Sequence, residues 1–252
     1  MSNVQLQQLK NDAELSAEWD TLAQTRHEQL AAGIDLSFNY VIAPAALRLL
    51  DGADLRHVFD IGSGTGHFSC LLSPLAETVV GIDPSAASIH IAETLCADLP
   101  NVRFRQCRME AAHRYFSARS ATAAVAVMVL MTVPKLDAFV AALAELLKPC
   151  GRFVAIIPHP FYWPKYRGYA EEPWFDYLKE SFIEAPFFIS QSRTDFKTTH
   201  IHRPISLYLN TFAEHGFALD RMEELMPEPG IQALYPEPWK YPRFVALQLT
   251  LK

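Results

Sequence analysis

The chain has 252 residues, half of them hydrophobic and a fifth charged, which is ordinary globular composition and long enough to bury a sizeable core. Its 22 basic and 28 acidic residues leave a formal charge of −6 with no basic run, which argues against a nucleic-acid partner, whose phosphates call for clustered Lys and Arg. The N-terminal stretch is polar without a signal-peptide core, and no apolar run reaches the roughly 20 residues of a membrane span, so a cytoplasmic protein with no membrane partner is expected.

Residues 5–31 carry apolar positions at helical spacing (Leu6, Leu9, Ala13, Leu15, Trp19, Leu22, Ala23), and a second helix is predicted over 38–50. The pattern then changes. Short buried-type strands are predicted at 57–61, 78–82, 102–107, 121–130 and 152–158. Helices are predicted at 66–76, 85–98 and 135–148, the last stopped by Pro149 and Gly151. Alternation of this kind needs parallel strands joined by right-handed crossovers, so an α/β, doubly wound, mostly parallel sheet is expected. After Pro158 the alternation breaks. Residues 159–196 hold twelve aromatics. A helix over 205–215 and strands at 217–225 and 243–251 close the chain, the strands joined by a proline-rich loop in which no regular element is expected. The four cysteines include no C-x-x-C pair, so neither zinc nor a redox pair is signalled, and they read as free thiols.

The stretch HVFDIGSGTGHFS (57–69) places Gly62, Gly64 and Gly66 directly after the first strand of the sheet, where ligands of open parallel sheets bind. Glycine there lets the chain turn tightly and a ligand pack on bare backbone. The spacing is G-x-G-x-G rather than the G-x-G-x-x-G of dinucleotide sites. Asp60 ends the first strand, where it can face a cationic ligand. Asp83 ends the second, about 20 residues beyond the first glycine, where a carboxylate can accept bonds from ribose hydroxyls; its structural alternative is a helix N-cap.

The blocks VFDIGSGTG, VVGIDPS, VLMTVP and LLKPCGRFVAIIPHP, taken in order, resemble the class I S-adenosylmethionine-dependent methyltransferases, most closely their small-molecule branch. The resemblance covers roughly 55–160, with a weaker likeness over 202–217. It implies a seven-stranded Rossmann-like sheet preceded by N-terminal helices (1–54), with a cofactor-binding core (55–158), a lid after the fifth strand (159–200) and a closing helix and strand pair (201–252). S-adenosyl-L-methionine is the implied cofactor. Asp60, Gly62, Ser63 and Gly64 would surround its methionine part, Asp83 would hold the ribose, and Pro84 would lie beside the adenine. Met109 and Glu110 would edge the adenine, and Met128 and Val129 would floor the sulfonium. Arg108 departs from the acidic residue many relatives carry, and Cys150 replaces a usual glycine of the KPGG turn, with little expected consequence.

Methyl transfer from a sulfonium is an in-line displacement with a good leaving group, so positioning can supply most of the rate. If a general base takes part, His159 is the expected catalytic residue, followed by His200 and His202. No metal is expected, because His200 and His202 have no acidic cluster beside them. The aromatic lid suits a small, partly aromatic or lipophilic acceptor of a methyl group on oxygen, less readily on nitrogen. The competing readings are a domain that binds the cofactor without catalysis or serves as a partner scaffold, and a nicotinamide-dependent oxidoreductase.

Overall fold

The computed structural model describes residues 4–190 and 192–252. A short strand β1 (Gln5–Gln7) precedes helix α1 (Asp12–Ala31). A π-helical turn at Phe38–Ile42 runs into α2 (Ala43–Leu50). Then β2 (His57–Ile61), α3 (His67–Leu72), β3 (Thr78–Asp83), α4 (Ala86–Leu95), β4 (Val102–Gln106), β5 (Ala121–Val127), α5 (Leu136–Leu146) and β6 (Leu147–Pro158) alternate. The remainder is α6 (Tyr162–Arg167), a hairpin of β7 (Ser181–Ile189) and β8 (Ser192–His202), α7 (Ile205–Glu214), β9 (Phe217–Leu225), α8 (Pro229–Gln232) and β10 (Phe244–Leu251).

Seven strands form one sheet in the order β4-β3-β2-β5-β6-β10-β9. The first five pair in parallel, and β10 inserts antiparallel between β6 and β9. This is the doubly wound arrangement the alternation predicts. Its central strands are apolar throughout because both faces are covered. Ala124 and Ala126 of β5 face one core with Phe153 and Ile157, while Ala123 and Val125 face the other with Val154 and Ile156. The chain leaves β2 toward β3 on one side and returns to β5 on the other. The crevice at the carboxyl ends of β2 and β5 is therefore where the strand order reverses.

Three expectations are corrected. The helix expected from residue 5 begins at Asp12. Asn11 accepts from the N–H groups of Ala13 and Glu14, and Glu14 accepts in return from the Asn11 N–H. This capping box ends the earlier segment, so Leu6 pairs with Ile183 in β1 instead of continuing the helix. Second, the aromatic segment 159–196 contains a regular second sheet, in the order β1-β7-β8. Its aromatics obscure the period-2 pattern, and Pro186 sits at a register shift where β1 no longer covers β7. Third, the proline-rich loop holds the short helix α8, with Pro229 at its first position, where the missing N–H costs nothing. No helix among the described residues is long and apolar enough to cross a membrane.

Candidate active site

The loop after β2 turns on three left-handed glycines: Gly62 at φ 68°, Gly64 at 51° and Gly66 at 85°. Their reasons differ. A Cβ on Gly62 would lie 2.3 Å from Val129 Cγ2, and one on Gly66 would lie 2.9 Å from Ala92 Cβ, so these two are bare because protein packs on them. A Cβ on Gly64 would meet nothing within 4 Å, so this glycine opens the backbone to a ligand.

Asp83 closes the turn from the neighbouring strand. Its Oδ2 accepts from the Gly64 N–H at 2.9 Å and its Oδ1 from the Ser85 N–H at 2.8 Å. Burial pushes its pKa up to about 6, against the pull of those two N–H groups. Ser85, not Asp83, caps α4: its hydroxyl accepts from the Ser88 N–H and donates to Asp20 Oδ1 at 2.6 Å, tying α1 to the site. Asp60 is buried at the end of β2 and accepts from the Ser69 hydroxyl at 2.6 Å. Burial raises its pKa to about 7, with the neighbouring Asp83 adding to the rise.

These groups open into a cavity of ≈ 310 Å³. All ten residues expected at the cofactor line it: Asp60, Gly62, Ser63, Gly64, Asp83, Pro84, Met109, Glu110, Met128 and Val129. Met128 adopts a left-handed φ of 58°, unusual for a side-chain-bearing residue, where β5 leaves the sheet. Its N–H is held by the Ile156 carbonyl at 2.8 Å. The floor beyond it, Leu130 to Pro134, is fixed by Arg203. The Arg203 guanidinium is wholly buried, pairs with Glu180, and donates to the Leu130 and Val133 carbonyls at 2.9 and 2.7 Å.

The residues at this turn fit a nucleoside-bearing cofactor with a cationic end. Gly64 leaves a cradle a Cβ would fill, and the Ser63 hydroxyl is buried with no partner. Two carboxylates stand on either side. Arg108, the departure from the acidic adenine contact, lines the cavity but is drawn to α1, where its Nη2 pairs with Asp12 at 2.9 Å.

His159 stands elsewhere. It is not among the cavity-lining residues. Its Nδ1 accepts from the N–H groups of Phe161 and Tyr162 at 3.2 and 3.4 Å, and its Nε2 lies 2.8 Å from Glu224 Oε1. Both ring nitrogens are engaged at the entry to α6, away from the cavity where the sequence places a base. His200 does line the cavity, with Nε2 2.9 Å from the Tyr169 hydroxyl, whereas His202 is bonded to the Tyr177 carbonyl. Among the described residues no group of three potential ligands is placed to hold a metal.

On the opposite wall, Trp163 of α6 and Phe187 of β7 come from the aromatic segment expected over the acceptor, whereas sequence reasoning missed Trp19 and Arg26 of α1, Arg167 of α6 and Arg243 before β10, which also line the cavity. Trp19 reads as ordinary helical core in the sequence, and only the fold brings it 6.1 Å from Phe187.

Residues 59–155 match the family profile described as a methyltransferase domain. Over 128 residues the chain is 31% identical to a demethylmenaquinone methyltransferase of Tropheryma whipplei, covering 50% of this chain and 52% of that protein. The chain thus spans about half the length of the curated relatives it matches. Among solved structures, an S-adenosylmethionine-dependent methyltransferase of Listeria monocytogenes aligns over 83% of this chain and 97% of its own, with 20% identity and a TM-score of 0.66. One from Mesorhizobium loti aligns over 82% and 96%, with 19% identity and a TM-score of 0.63. Residues 59–155 thus match a methyltransferase-domain profile, and the chain shares the fold of these solved structures.

Proposed function

We propose that this protein transfers a methyl group from S-adenosyl-L-methionine to an oxygen, less readily a nitrogen, of a small, partly aromatic or lipophilic molecule. One observation carries the reading: a single cavity joins the glycine turn and its two carboxylates to an aromatic wall. The cofactor, when bound, supplies an electrophilic methyl group on a sulfonium. Asp60, Ser63 and Gly64 would hold its amino-acid end, Asp83 and Pro84 the ribose side, and Met109 and Glu110 the adenine. Met128 and Val129 would floor the reacting end. The segment 159–200 acts as the lid that excludes water.

Positioning carries the rate. Near-attack geometry can supply on the order of 7–11 kcal/mol. A histidine base adds little, because His200, the histidine of β8 that faces the cavity, has its pKa pushed down to about 3. Burial is the main cause, with the Arg167 and His202 charges adding to it. An imidazole that weakly basic stays neutral at pH 7 and is a poor proton acceptor. The name of the demethylmenaquinone methyltransferase relatives supports a ring-bearing acceptor.

Calorimetric titration with S-adenosylmethionine and S-adenosylhomocysteine tests the reading. Micromolar binding of both is expected, and no binding of either would overturn it. Release of radiolabelled methyl into small-molecule extracts then separates a transferase from a domain that only binds the cofactor.

A further inference from the structure

The acceptor half of the cavity carries an unbalanced positive charge set in aromatic surface. Three arginines line it, and they differ in their partners. Arg26 is neutralised: its Nη2 lies 2.6 Å from Asp35, the acidic residue on that wall. Arg167 and Arg243 meet no carboxylate at ion-pair distance among the described residues. Arg167 spends one N–H on the Pro186 carbonyl at 2.7 Å and lies 4.2 Å from the Phe188 ring centroid. Arg243 lies 3.9 Å from the Tyr166 ring centroid and 4.4 Å from that of Trp239, and its Nε–H is buried with no acceptor. The indole N–H of Trp163, between them on α6, is likewise buried without an acceptor. The aromatic rings tie these groups together, since Trp163 and Phe188 both contact Tyr166, at 5.3 and 5.9 Å.

Every one of these polar groups is a donor and none is an acceptor. A guanidinium stacked on a ring keeps its in-plane N–H edge free, and that edge matches the oxygens of a carboxylate or phosphate. Burial without a counter-charge is costly for a cation. In keeping with that cost, burial lowers the pKa of both arginines. His200 does not offset the charge, being neutral at pH 7.

We propose that the methyl acceptor is an amphipathic molecule with an apolar, ring-sized body and an oxyanion, a carboxylate or phosphate, and that Arg167 and Arg243 anchor this oxyanion beside Trp163. The site deepens the methyltransferase reading and rests on it for the word acceptor. Its anion selectivity can be measured independently of that reading.

The probes are 2-naphthoate, 2-naphthyl phosphate and the neutral 2-naphthamide, titrated into the full chain with and without S-adenosylhomocysteine. At least one of the two anions should bind roughly ten-fold or more tightly than the amide, as a charge-assisted hydrogen bond predicts. Which anion binds better identifies the oxyanion. Arg167→Gln and Arg243→Gln should each abolish most of that preference, leaving amide and S-adenosylhomocysteine binding within about two-fold of wild type. Arg243→Lys keeps the charge but not the stacked fork, and should recover only part of the preference. Equal binding of anions and amide, or a preference that survives both glutamine variants, overturns the proposal. Failure of S-adenosylhomocysteine to bind overturns the methyltransferase reading alone, because the anion-to-amide ratio is still read without it. Thermal melts of the two variants control for folding, and Arg167→Gln, with its single backbone bond, decides should Arg243→Gln unfold.

Discussion

Gly62 and Val129 occupy space that only one of them can fill with a side chain: a Cβ on Gly62 would stand 2.3 Å from Val129 Cγ2 and 2.8 Å from its Cγ1. Val129 follows the end of β5, so this contact locks the glycine turn of β2 onto the floor of the cavity. Gly62→Ala should therefore cost about 2–4 kcal/mol, by overpacking and by forcing a side chain into a left-handed φ. Adding Val129→Gly should return part of that loss, which denaturant melts of the single and double variants would measure. Gly64→Ala has room, so it should cost only about 1 kcal/mol of backbone strain. It should nonetheless weaken S-adenosylhomocysteine binding at least ten-fold if ligand packs on that backbone.

Asp83 has two tasks, and two substitutions separate them. Asp83→Ala leaves the Gly64 and Ser85 N–H groups without an acceptor, so stability should fall by about 1–3 kcal/mol as well as cofactor affinity. Asp83→Asn keeps one acceptor oxygen and should lose less stability, while still losing the second carboxylate oxygen proposed for the ribose. Unchanged S-adenosylhomocysteine affinity in both variants would show that Asp83 serves the turn only.

The parallel core was legible because its strands are continuous apolar runs between glycine and proline stops. His57–Ile61 matches its predicted bounds, as does the antiparallel edge strand Phe217–Leu225 outside that core. The ten expected cofactor residues all line one cavity because the turn chemistry that brings them together is local in sequence. The second sheet was not legible. Its pairing of residues 5–7 with 182–184 is set by tertiary contact across most of the chain, and Phe182, Phe187 and Phe188 with Pro186 break the alternation of β7. The arginines of the acceptor wall carry no motif, and only the fold shows that Arg167 and Arg243 meet no carboxylate at ion-pair distance among the described residues.

Cys150 shows where a motif departure has a physical cost. It sits at φ 63° near the start of β6, a conformation glycine adopts freely, at a position where the resemblance leads one to expect glycine. Its side chain is exposed, so little packing is lost on removing it. Cys150→Gly should stabilise the protein by about 1 kcal/mol, read as a rise in melting temperature at unchanged S-adenosylhomocysteine affinity.

His159 separates structure from chemistry. With Nδ1 accepting two backbone N–H groups, its Nε2 carries the proton and donates to Glu224. His159→Ala should destabilise the protein by about 1–3 kcal/mol through the unpaired N–H groups of Phe161 and Tyr162. The pH profile of methyl transfer at saturating acceptor should keep its shape. Loss of an ionisation from that profile, with folding intact, would restore His159 as the base.

Asp60 makes both stability and cofactor affinity depend on pH, in opposite senses. Its folded pKa, raised to about 7 chiefly by burial, lies above the ordinary 3.8, so the folded state holds the proton more tightly than the unfolded chain does. The stabilisation this provides is complete below pH 3.8 and is lost as pH rises through 7, at a slope of up to about 1.4 kcal/mol per pH unit from this group. Asp60→Asn mimics the protonated carboxyl and can still accept from the Ser69 hydroxyl. The variant should therefore melt higher than wild type at pH 8, and the gap should shrink toward pH 5. S-adenosylmethionine carries positive charge and favours the ionised carboxylate. Its affinity for wild type should therefore rise from pH 6 to 8, while in Asp60→Asn the rise should shrink to what Asp83, titrating near 6, still contributes. Parallel pH dependences in the two proteins would mean that Asp60 neither titrates there nor faces the cation.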